Sequence, residues 1–142
     1  MRTGTLLTVG FFAVMTSAIA HADQTAKQEK FCAAITDFNS DVRVVDSIGP
    51  SSTVAELRAA SDRLMTDAQK VVKTASKIKT PTAKQFHDAA NKLHRDVNSL
   101  PDNITIDQAK TKVADDIQNV KDAARRLATE SGCPEQAPPT NK

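Results

Sequence analysis

Two cysteines, Cys32 and Cys133, and two histidines, His87 and His94, are the residues best suited by type to chemistry. The cysteines have no partner at the short Cys-x-x-Cys or Cys/His spacings of redox and metal motifs, so their expected role is one structural disulfide. The histidines lie seven positions apart, which on a helix puts them at nearly the same angle but about 10.5 Å apart along the axis. One metal ion needs its ligands within a few ångströms of each other, so they read as boundary residues flanking a core. Di-iron bundles use Glu-x-x-His pairs, yet the residues three places before these histidines are Lys84 and Asn91. No metal, cofactor or catalytic residue is therefore expected.

The remaining chemical signal is charge. Lys70, Lys73, Lys77 and Lys84 cluster along the middle of the chain and form a candidate docking surface for an anionic polymer or lipid. The plainer reading is the ordinary matching of bases to helix ends. Ser61 is the one polar residue in an otherwise apolar stripe, where a hydroxyl is expected to bond back to a carbonyl one turn earlier. The stretch from Glu56-Leu57-Arg58 to Asp62-Arg63-Leu64 resembles the first helix of the helical chorismate mutases. The spaced basic and polar set with which that family holds a dicarboxylate is missing, so no catalytic role carries over.

The elements that position these residues begin after a leader. Arg2, the apolar run from Leu6 to Ala20 and the small residues around His21 have the layout of a secretory signal peptide over residues 1–22, with cleavage expected between Ala22 and Asp23. The run is too short and too interrupted by Thr8, Gly10, Thr16 and Ser17 for a membrane span. Export to a secreted, periplasmic or cell-envelope location would put both cysteines in an oxidising compartment. The formal net charge of +2 becomes +1 when Arg2 is removed, and the chain has neither Trp nor Tyr. Such a chain lacks both the field and the stacking surfaces of a nucleic-acid binder.

Four segments carry helical periodicity. Phe31, Ile35, Phe38, Val42 and Val45 line the first, which ends at Gly49-Pro50, where glycine can take a left-handed cap. The second opens on the capping box Thr53-Val54-Ala55-Glu56 and carries Val54, Leu57, Ser61, Leu64, Ala68, Val71, Ala75 and Ile78. Thr80 is the expected N-cap of the third and Pro81 its first residue. Phe86, Ala90, Leu93, Val97 and Leu100 follow. The fourth opens on a second capping box, Thr105 to Gln108, and runs through Ile106, Ala109, Val113, Ile117, Val120, Ala124 and Leu127 to Gly132-Cys133-Pro134.

Short connections predict an all-α, up-down-up-down four-helix bundle over residues 23–134, followed by a polar, disordered tail over 135–142. In that order the start of helix one and the end of helix four lie at the same end, as a disulfide between Cys32 and Cys133 requires, which a three-helix arrangement or parallel first and last helices would not supply. Breaks at Gly49-Pro50, Thr80-Pro81 and Pro101 favour a monomer folded back on itself over a helical dimer. Function then falls to an extracytoplasmic interaction module, whose partner is another protein or an anionic envelope surface. The alternative is a lipid or haem carrier with an interior lined by alanines such as Ala68, Ala90 and Ala109.

Overall fold

A computed structural model describes residues 18–78 and 80–134, and side chains from residue 23 onward. The expected signal peptide up to residue 17 and the expected disordered tail lie outside the described residues. Four helices account for the fold: α1 (Ala18–Ser47), α2 (Val54–Ile78), α3 (Ala83–Asn98) and α4 (Ile106–Glu130). No strand occurs among the described residues. α1 begins at Ala18, so residues on both sides of the expected cleavage point are helical.

Local chemistry sets the ends of these helices. At the start of α2 the Thr53 amide donates to Glu56 Oε2 at 2.7 Å and the Glu56 amide donates to Thr53 Oγ1 at 3.2 Å. The same reciprocal pair joins Thr105 and Gln108 at the start of α4. α4 stops on Gly132, whose φ of 67° places it in the left-handed region. The Cys133 amide then donates to Ala128 O and the Gly132 amide to Thr129 O. This is the Schellman closure, and it turns Cys133 back toward α1.

Packing joins each helix to its neighbours in sequence and α1 to α4. Arg58, near the start of α2, donates to Leu100 O and the Asp102 carboxylate just past α3. Thr82, just before α3, donates to Glu130 Oε2 at the end of α4 at 2.6 Å. Lys110, near the start of α4, donates to Asp46 O at 2.8 Å and Ile48 O at 3.0 Å at the end of α1. Every one of these links joins the start of one helix to the end of another, as antiparallel neighbours require. The Cys32–Cys133 disulfide, with alpha carbons 5.5 Å apart, ties the start of α1 to the end of α4. It closes a loop for which chain entropy gives about 4.7 kcal/mol at a span of about 100 residues.

The apolar stripes read from the sequence form one buried cluster, with Phe31, Phe38, Phe86, Leu57 and Leu127 each at 0% exposure. Ile78, at the last position of α2, is only partly buried.

Three local expectations are corrected. Gly49 is not left-handed, because the last carbonyls of α1 are capped from α4 by Lys110. α3 starts at Ala83 with Thr82 as N-cap, since Thr80 and Pro81 form a turn in which the Ala83 amide donates to Thr80 O. The Thr82 hydroxyl is spent on Glu130 and makes no cap bond. Ser61, 1% exposed, does not bond back along its helix, and its Oγ is buried without a partner.

Candidate binding surface

The helical frame puts Lys70, Lys73 and Lys77 on the outside of the last turns of α2 and Lys84 in the first turn of α3, all exposed. Two of the four are engaged: Lys70 with Asp67 at 2.5 Å and Lys84 with Asp88 at 2.7 Å. The Asp67 hydrogen bond raises the Lys70 pKa above its ordinary value, and the Lys84 hydrogen bond lowers that of Asp88. Lys73 and Lys77 have no acidic partner among the described residues. The four thus offer fewer uncommitted charges than their number suggests.

Both histidines of α3 are half-buried at the rim of the core. The Asn91 amide nitrogen lies 3.1 Å from the His87 ring nitrogens, and His94 Nδ1 lies 3.5 Å from Asp62 Oδ1 on α2. No group of three or more His, Cys, Asp or Glu side chains among the described residues is placed to hold a metal ion. Asp116 is a buried carboxylate, and Lys92 of α3 donates to it at 2.6 Å and to Asp96 at 2.7 Å. The Lys92 ammonium lowers the Asp96 pKa, the hydrogen bonds to Asp116 and then Asp96 raise that of Lys92, and the group ties α3 to α4.

A concave surface lies elsewhere. α1 and α4 make the sparsest contact of the neighbouring pairs, and a groove of about 760 Å³ runs along their seam. The disulfide closes one end of it, and an ion pair between Lys121 and Asp46 lies toward the other. Its floor includes Ile35 and Val42, which are only 2% and 4% exposed. Its walls are polar: Thr36, Asn39 and Arg43 come from α1, while Gln118, Lys121, Arg125 and Thr129 come from α4. Three cations and one acid, Asp46, line it. Lys121 pairs with Asp46 and Arg125 with Asp122 at 3.1 Å, whereas Arg43 has no acidic partner among the described residues.

The charge pattern of the sequence draws attention to the lysines of α2 and misses this groove. Its signal is present, because Thr36, Asn39 and Arg43 each follow a core position of α1 by one residue, as Gln118, Lys121 and Arg125 do on α4. A polar ladder of the same period as the core stripe marks a seam wall. Which ladders face a gap is decided only by the separation of the helices. Among known protein families, curated proteins and solved structures, nothing matches this chain.

Proposed function

We propose that this protein is an exported interaction module, a disulfide-closed helical scaffold that binds a partner through its outer faces in an oxidising extracytoplasmic compartment. One observation carries the reading: the helices spend their apolar stripes on one another, while the groove between α1 and α4 opens on the outside. The disulfide fits such a compartment, and no helix among the described residues is long and apolar enough to cross a membrane. The alanines that would have to line a carrier's interior, Ala68, Ala75, Ala90, Ala109 and Ala124, are at most 1% exposed and belong to the continuous core. Their small size supports close approach of the helices.

Photo-crosslinking in the native host tests this reading. A photoreactive residue at exposed Lys73 or Arg43 should capture a partner, and one at buried Ala90 should capture only the chain itself. Capture of a small molecule from position 90, with nothing caught at the outer positions, would make the protein a carrier instead.

A further inference from the structure

Resting on the reading above, we infer that the groove between α1 and α4 binds an extended acidic peptide segment of a partner protein, with Arg43 as its principal anchor. Arg43 lines the same groove as Lys121 and Arg125, and the two pairings along this seam, Cys32 with Cys133 and Asp46 with Lys121, set it opposite the turn that carries those two cations. Asp46 and Asp122 neutralise two of the three cations. One guanidinium is left over beside two further cations, an arrangement that an arriving carboxylate relieves. Guanidinium groups take carboxylates through two parallel hydrogen bonds, which gives direction as well as charge.

The rest of the groove narrows the ligand class. Ile35 and Val42 expose almost nothing of themselves, so the floor adds little apolar surface for an acyl chain to bury. Every phenyl ring among the described residues, at Phe31, Phe38 and Phe86, is fully buried, and no ring lines the groove for a sugar to stack on. The walls carry Gln118 and Thr129, whose N–H and O–H are donated to Asp122 Oδ1 and Arg125 O, so that their own oxygens still accept. A peptide presents a donor and an acceptor at each residue and matches such walls better than an acyl chain or a sugar polymer. From Cys32 to Asp46 the seam is about 21 Å long at the helical rise, room for about six residues of extended chain.

The test uses the full mature protein and a fluorescent hexaglutamate peptide, with hexaglutamine, inorganic phosphate and phosphatidylglycerol vesicles alongside. Hexaglutamate should bind weakly and more weakly as salt is added, and should shift the backbone amide resonances of Asn39, Arg43 and Lys121. Arg43→Gln should weaken binding about tenfold, the loss of one charge-assisted contact, while its circular dichroism stays unchanged. Arg95→Gln, exposed on α3 and outside the groove, should bind as the parent does. Absence of hexaglutamate binding at low salt, equal binding by Arg43→Gln, or equal binding of hexaglutamine would overturn the assignment. So would preferential binding of vesicles or phosphate. If the peptide fails while crosslinking still captures a partner from Lys73, the groove assignment falls and the interaction-module reading stands.

Discussion

Phe38 of α1 and Phe86 of α3 meet edge to face across the bundle, their ring centroids 4.8 Å apart and their planes inclined at 77°. α1 and α3 are not among the neighbouring helix pairs, so this contact spans the middle of the four-helix ring. Both rings are fully buried and occupy interior space that a carrier would need for its cargo.

Removing one ring leaves a void that the surrounding helices only partly close. Phe86→Ala is therefore expected to cost about 3–5 kcal/mol, and Leu64→Ala, in the centre of the α2 stripe, about 2–5 kcal/mol. Urea unfolding measures both. His87→Ala and His94→Ala serve as controls and should change stability by less than about 1 kcal/mol, since each ring sits at the rim, His87 beside Asn91 of its own helix and His94 beside the exposed Asp62 of α2.

Ser61 predicts the opposite sign. Its hydroxyl lies in the α2 stripe between Leu57 and Leu64 with no hydrogen-bond partner. A buried unsatisfied polar group costs about 1–3 kcal/mol, so Ser61→Ala should raise stability by about 1 kcal/mol. A loss of stability in that variant would mean that the hydroxyl has a partner after all.

Gly132 should control how easily the bundle is locked. An added Cβ would meet nothing closer than the Gln28 side-chain nitrogen at 4.0 Å, so the cost of Gly132→Ala lies in the positive φ alone. About 1 kcal/mol is expected. Because the same turn aims Cys133 at Cys32, the variant should also reoxidise more slowly after reduction, as read by thiol trapping.

Asp41 gives the pH dependence. Burial, then the neighbouring Asp67 carboxylate, raises its pKa above the usual 3.8, with Arg63 and Lys70 opposing. The folded state therefore holds the Asp41 proton more tightly than the unfolded chain does. That contribution is complete below pH 3.8 and is lost as pH rises through the raised value. At neutral pH the ionised group opposes folding, so Asp41→Asn should raise Tm at pH 7. The gain should be worth no more than about 0.5 kcal/mol for a half-buried group that solvent still screens and should fade below pH 3.8.

The sequence makes the helices legible because their signals are local. Core stripes need only a periodicity, and the boxes at Thr53 and Thr105 close within one turn. What escapes is decided by other helices. Asp116 reads as a solvent position beside Ile117, and its burial makes sense only with the Lys92 ammonium from α3 beside it. Gly49 carries a cap signal, yet α1 is capped by Lys110, far along the chain. The lysines at 70, 73, 77 and 84 stand out as a cluster in the sequence. Arg43, Lys121 and Arg125 do not, because only the open α1/α4 seam brings them to one groove.

Native mass spectrometry of the mature protein, released gently from its own host, tests most directly the claim that it binds partners through its surface. The account predicts a disulfide-closed chain carrying no small molecule, together with a heavier species that contains a second, different polypeptide. A single species holding one lipid or haem per chain, and no polypeptide partner, would contradict it.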